Sequence, residues 1–267
     1  MDKPPQADER ADERTLDSHL LSARWRHFLA ARLSPEGEFG LYLTVGLALI
    51  LFAALAFGEL AEDVVDGDTI TVLDVQLAHW FHMRAAPGFT RVMFFITHWN
   101  GIVGSGIMGA LLALWLWRRR ARYWLIVCLI AVPGGMLLNV ALKNVFQRAR
   151  PSFDEPLVSL ATYSFPSGHT AAATVFYGLL ACYLLRGATS WRRRVAVAAA
   201  AAGMVALVAL SRMVLGAHYL SDVLAATLEG CAWLAVCITA VSALHRRRLA
   251  RGKPSWSRPR HGERSAP

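Results

Sequence analysis

A membrane crossing needs about 20 apolar residues in helix, because each residue advances only about 1.5 Å through the hydrocarbon layer. Six stretches of this chain meet that requirement: residues 40–60, 93–117, 123–143, 168–186, 195–215 and 220–244. The expected fold is therefore all-α, a polytopic bundle of six transmembrane helices. Composition agrees, with 55% hydrophobic residues and only 18% charged. Trp99, Asn100 and several glycines blur the outer end of the second stretch, so its boundary is the least defined.

The formal net charge is +9, but where the cations sit matters more than their sum. They cluster beside the apolar runs, where anionic headgroups attract them, and this excludes nucleic acid as the partner. With the N-terminus inside, the inner segments 1–39, 118–122, 186–194 and 245–267 hold 22 of the 28 Lys and Arg residues. That asymmetry predicts both termini in the cytoplasm and insertion in the cell inner (plasma) membrane. The remaining six cations are Arg84, Arg91, Lys143, Arg148, Arg150 and Arg212, and four of them fall in or beside the motifs below. Cys128, Cys182, Cys231 and Cys237 lie inside apolar runs and read as small buried hydrophobes, without zinc spacing or a disulfide framework.

The runs divide the chain into a cytoplasmic arm (1–39), a membrane domain (40–244) and a basic tail (245–267) whose Arg, Pro, Ser and Gly content predicts disorder. The first span starts too far in for a cleaved leader, and the expectation is that it stays uncleaved. Within the arm, residues 19–33 place Leu20, Leu21, Trp25, Phe28 and Leu29 at helical spacing. That pattern fits an in-plane interfacial helix and an amphipathic cap on the bundle equally well. Residues 61–91 read as an acidic exported loop, and 144–167 as a loop with function.

Three blocks hold the chemistry: Lys143 with Arg150-Pro151, Pro166-Ser167-Gly168-His169, and Ser211-Arg212 with His218 and Asp222. Lys143 ends the third span, the second block opens the fourth, Arg212 closes the fifth, and His218 and Asp222 open the sixth. Because chain direction alternates, all these ends fall on one outer face. Ser167 suits an N-cap, with the Gly168 and His169 amides at a helix start that favours an anion, and glycine permits close approach. Arg150 and Arg212 offer planar forks to phosphate oxygens, and Lys143 adds a point charge. His218 and Asp222, four residues apart, face the same side of one helical turn, so the carboxylate can fix the imidazole tautomer. Arg212 at membrane depth calls for a bound anion or for snorkelling to the interface.

In order and spacing, KNVFQRARP, PSGH and SRMVLGAHYLSD resemble the three-part signature of the type-2 phosphatidic acid phosphatase superfamily of lipid phosphate phosphatases. The resemblance runs from about Tyr42 to Leu244, and every signature position is filled. It implies a bacterial-type membrane enzyme acting on a phosphorylated lipid such as undecaprenyl pyrophosphate, phosphatidylglycerophosphate or phosphatidic acid. It further implies that His218 attacks phosphorus and becomes phosphohistidine, oriented by Asp222, while His169 protonates the leaving oxygen and then activates water. Lys143, Arg150, Ser167, Gly168 and Arg212 would hold the phosphate oxygens. No metal and no cofactor are implied. Two other readings remain open at this point: a phosphotransferase discharging the same intermediate to another hydroxyl, and a transporter of anionic lipid or phosphate.

Several features read as bland. His79 and His82 form an HxxH in an aromatic interfacial segment, a structural setting more than a metal site. His98 beside Trp99 is a candidate for the pocket entrance. Asp66-Gly67-Asp68-Thr69 loosely matches the acidic motif of haloacid dehalogenase phosphatases, which requires a soluble doubly wound sheet. Pro133, Gly134 and Gly135 predict a kink or close helix packing. Trp115, Trp117, Trp124 and Trp191 read as interface anchors beside basic inner loops.

Overall fold

The computed structural model describes residues 38–158 and 160–251 of the 267. Met1–Ala48 and Leu49–Pro267 form two compact units. Of the first, only the opening turns of one helix are described, so the expected helix at 19–33 lies outside the described residues, as does the tail beyond 251. Eight helices and no strands occur among the described residues: α1 (Glu38–Asp66), α2 (Thr69–Met83), α3 (Pro87–Trp99), α4 (Ile102–Arg118), α5 (Arg122–Phe146), α6 (Gly168–Arg186), α7 (Trp191–Val214) and α8 (Leu220–Arg251).

Five of these helices are long and apolar enough to cross a membrane, and α3 with α4 makes a sixth span bent by 53°. The all-helical, six-span expectation is met. The bend falls at Asn100–Gly101, where the sequence boundary was blurred. Asn100 spends its side-chain amide on the Ile96 carbonyl at 3.0 Å, and the Gly101 and Asn100 amides bond back to His98 and Thr97. Each bond closes the helix instead of continuing it. Large apolar side chains such as Phe52, Leu55, Leu111, Leu129 and Leu137 are exposed along the spans, as a lipid-facing surface requires.

The segment read as an acidic loop is corrected: α1 runs on to Asp66, α2 occupies 69–83 and α3 starts at Pro87. At 15 residues, α2 is too short to span and carries an aspartate, so a search for crossings passes over it. It packs instead against α7 and α8. The last helix also extends past position 244, where its span was expected to end, to Arg251.

α6 is the hub, touching α4, α5, α7 and α8. Lipid tails are as apolar as leucine, so the bundle gains from close packing more than from burial alone. Small residues permit that packing. A Cβ on Gly134 would lie 2.5 Å from the Trp233 ring, and one on Gly230 would lie 2.7 Å from Thr174. Trp233 also donates from Nε1 to the Ala131 carbonyl at 2.9 Å. Of the two roles expected for Pro133-Gly134-Gly135, close packing is the one these contacts support. The resulting core joins α4, α5, α6 and α8 through Leu112, Leu116, Trp124, Val127, Leu179 and Leu234.

Candidate active site

Four chain ends build the site. Helix α5 stops just past Lys143 because Gln147 takes a left-handed conformation, φ +47°, and its amide bonds the Lys143 carbonyl. The chain then turns through Arg148 and Arg150. It returns at Ser164, whose amide donates to the Arg148 carbonyl at 2.8 Å, and enters α6 at Gly168. Helix α7 ends at Val214, and the Ala217 and His218 amides fold back onto the Arg212 carbonyl at 3.0 and 3.3 Å. That reversal needs Gly216, whose φ is +65° and whose Cα faces the Phe153 ring so closely that a Cβ would sit 2.8 Å away.

His218 therefore lies in the turn before α8, not on the helix, yet the contact expected from the four-residue spacing forms. Its Nδ1 is 3.3 Å from Asp222 Oδ2. The same oxygen accepts the Tyr219 amide at 2.9 Å, reaching back over the first turn as a capping carboxylate does, and also accepts the Ser164 hydroxyl. On the ring's other side, Arg150 Nη1 lies 3.2 Å from Nε2. Arginine can only donate and the carboxylate only accept, so Nδ1 carries the proton and Nε2 presents its lone pair. Burial pushes the His218 pKa down from 6.5 to about 3, beyond what Asp222 restores, and the ring is neutral.

Arg150 spends every donor on the protein. Nε bonds the Thr162 carbonyl at 2.6 Å, Nη1 bonds the Ala217 carbonyl at 2.6 Å, and Nη2 bonds Thr162 Oγ1 and the Tyr163 carbonyl at 2.9 and 3.0 Å. It thus ties the 162–163 loop to the His218 turn. Lys143 ties α5 to the same loop, donating to the Tyr163 and Ser164 carbonyls at 2.7 and 3.1 Å.

Arg212 is buried and reaches Thr97 Oγ1 at 2.6 Å, while its Nε has no hydrogen-bond partner among the described residues. An unmatched guanidinium N–H in the interior is expensive, and an anionic oxygen would match it. His169, on the first turn of α6, interacts electrostatically with Arg212, His218, Arg150 and Lys143. Its Nε2 faces Gly101 at the bend, where a Cβ would come within 3.4 Å. All six charged or imidazole groups named from the three blocks are therefore brought together.

One expectation needs correction. Ser167 sits at the N-cap position of α6, but its hydroxyl makes no cap bond; it accepts from Thr170 Oγ1 at 3.1 Å, and its amide donates to the Asp222 carbonyl at 3.0 Å. At Gly168 the close neighbour in the structure is Asn139, whose Oδ1 would lie 3.0 Å from a Cβ. Asn139 in turn donates to Glu229 Oε2 at 2.9 Å. His79 and His82 pack around Phe153, His82 stacked at 4.1 Å and His79 edge-on at 5.6 Å.

Sequence reasoning missed Arg148, Asp74, Ser164, Ser221 and Thr97. Arg148 forks between Asp222 Oδ1 at 2.7 Å and Asp74 Oδ2 at 2.8 Å. Only its position inside the first block hinted at a role. Nothing local marked Asp74 or Thr97, which lie on α2 and α3.

A family model described as the PAP2 superfamily matches residues 122–246. Phosphatidylglycerophosphatase B of Bacillus subtilis is 36% identical over 100 residues, 37% of this chain, and the match spans about half (49%) of that relative's length. Decaprenylphosphoryl-5-phosphoribose phosphatase of Mycolicibacterium smegmatis is 31% identical over 169 residues, covering 61% of this chain and 82% of that protein. Among solved structures, a transmembrane PAP2-type phosphatidylglycerolphosphate phosphatase from Bacillus subtilis superposes with a TM-score of 0.65 at 25% identity, covering 74% of this chain and 96% of that one. Aquifex aeolicus LpxE matches at a TM-score of 0.50 and 20% identity, over 64% and 95% of the two chains, a likeness of fold alone.

Proposed function

The chain belongs to the PAP2 superfamily, and from that premise we propose that it is a membrane lipid phosphatase working through a phosphohistidine on His218. The observation that carries this reading is the state of the His218 ring. Nδ1–H is held by Asp222, and the unprotonated Nε2 keeps a lone pair that faces Arg150 Nη1 at 3.2 Å. A neutral buried imidazole so oriented is a nucleophile without needing a base.

In the proposed reaction Nε2 bonds to phosphorus as the bond from phosphorus to the lipid oxygen breaks. His169 gives its proton to that leaving oxygen. Water, deprotonated by His169, then attacks phosphorus, the P–N bond breaks, and inorganic phosphate leaves with His218 restored. As the ring becomes cationic, Asp222 stabilises it. Lys143, Arg150, Arg212, Ser167 and the Gly168 amide balance the equatorial oxygens, with Arg212 Nε the donor best free to do so. These cations supply the charge neutralisation that a metal provides in other phosphatases.

The proposed substrates are lipids with a terminal phosphate monoester or pyrophosphate: undecaprenyl pyrophosphate, phosphatidylglycerophosphate or phosphatidic acid. The names of the two curated relatives point to phosphorylated lipids of that kind. The 22 Lys and Arg residues of segments 1–39, 118–122, 186–194 and 245–267 support cytoplasmic termini and, with them, a site facing the extracytoplasmic side. The test is phosphate release from a panel of these lipids in detergent with EDTA present, with acid-labile label trapped on the protein from ³²P-labelled substrate. Release that stops with EDTA, or label that survives in a His218→Ala variant, overturns the mechanism.

A further inference from the structure

Asp74 is fully buried on α2, outside the segment matched by the family model. Its Oδ1 accepts the Ser221 amide at 2.9 Å; its Oδ2 accepts the Ser221 hydroxyl and Arg148 Nη2, the latter at 2.8 Å. Arg148 Nη1 donates to Ser221 Oγ and to Asp222 Oδ1, both at 2.7 Å, and its face covers the Tyr219 ring at 4.4 Å. The Ser221 hydroxyl gives its one proton to Asp74 and takes one from Arg148, so the circuit closes with a separate proton for each bond. Both oxygens of Asp222 are then occupied: Oδ1 by Arg148, Oδ2 by Ser164, Tyr219 and His218.

An arginine bonded to Asp222 poses a problem for the chemistry. Alone, it would neutralise the carboxylate whose charge must stabilise the His218 ring as that ring turns cationic. Asp74 removes the problem. Two carboxylates around one guanidinium leave a net charge of −1, so Arg148 can fix the direction of Asp222 without cancelling it. We propose that Asp74 is a positioning residue that balances Arg148, keeping Asp222 both aligned and effectively negative toward His218. This rests on the reading of His218 as nucleophile and extends the working assembly to a helix that the motif blocks do not include.

The test measures kcat and KM for phosphatidic acid and phosphatidylglycerophosphate micelles with the full-length protein carrying Asp74→Asn, Arg148→Gln or both, alongside thermal unfolding in detergent. Asp74→Asn is expected to lower kcat about tenfold or more with KM within about twofold, the scale of losing an orienting partner. The double variant restores the −1 balance and is expected to turn over at least about threefold faster than either single. If Asp74→Asn does not fold, the comparison of the double with Arg148→Gln decides alone. A double variant no faster than the singles, in an active wild-type background, overturns the inference and leaves the phosphatase reading intact. A wild type that releases phosphate from none of the proposed lipids, undecaprenyl pyrophosphate included, overturns both.

Discussion

Two parts of the chain meet at the site and contribute in different ways. Residues 143–222 supply every group proposed to touch phosphate: Lys143, Arg150, Ser167, Gly168, His169, Arg212 and His218, with Asp222 on the ring. Helices α2 to α4 supply none, but they brace those groups. Asp74 holds Arg148, Thr97 holds Arg212, and the bend at Gly101 borders His169. The difference teaches that reagents and braces are encoded differently. Reagents need rare residue types at fixed spacing; a brace needs only one acceptor or one missing Cβ at the right place. If this division is real, removing the nucleophile must abolish turnover, whereas removing a brace must only slow it.

The largest effect tests the reagent side. His218→Ala deletes the nitrogen that forms the covalent bond, and phosphate release should fall by at least about 10³-fold, as for nucleophiles elsewhere. Substantial residual release would move the nucleophile, and with it the distinction drawn above. Lys143→Ala should lower kcat by roughly 10- to 100-fold, the range seen for losing one charge-stabilising donor, while the bundle still inserts and folds. A variant that fails to fold would show that the bonds to the Tyr163 and Ser164 carbonyls are what the lysine is for, and would place it among the braces.

A smaller effect tests the brace side. Thr97→Val keeps the shape but takes the acceptor from Arg212 Nη1. A hydrogen bond to a charged group is worth about 1.5–3 kcal/mol, and about half of that is expected here because a bound phosphate oxygen replaces the acceptor. The expected result is a fall of about 4- to 12-fold in kcat/KM, well short of the loss from Arg212→Gln. Equal losses from the two variants would mean that Arg212 works only when threonine holds it, and the line between reagent and brace would disappear at that point.

How far the sequence reveals this architecture follows the same line. The spans are legible because lipid imposes a length and a composition on each one. The reagents are legible because alternate crossings bring their helix ends to one face. His218 and Asp222 meet as their spacing requires, although the histidine precedes the helix, since a turn through Gly216 delivers the same approach. Ser167 takes the N-cap position that its type favours, but its hydroxyl accepts from Thr170 instead of capping, because the preference is only a local tendency. Asp74 could not be read at all. In sequence it is one of five acidic residues between 62 and 74, and only the packing of α2 on α8 separates it from the others.

The smallest effect concerns stability and separates a titrating reagent from a brace that does not titrate. His218 has a pKa near 3 when folded, against 6.5 for an ordinary histidine. Above pH 6.5 the ring is neutral in both states and contributes no pH dependence. Below it the unfolded chain binds a proton that the folded chain refuses, so stability falls with pH until the folded pKa is reached. At pH 5 the interval below 6.5 is about 1.5 units, a loss of up to about 2 kcal/mol. His218→Asn has no such proton to bind. Between pH 7.5 and 5 in detergent, the wild type should therefore lose more thermal stability than His218→Asn, while Thr97→Val should lose as much as the wild type. Equal acid losses in the wild type and His218→Asn would mean that the folded ring takes up its proton as an unfolded one does and is cationic at pH 5. A protonated ring has no lone pair at Nε2, so turnover would then have to fall over the same acid range if His218 is the central reagent.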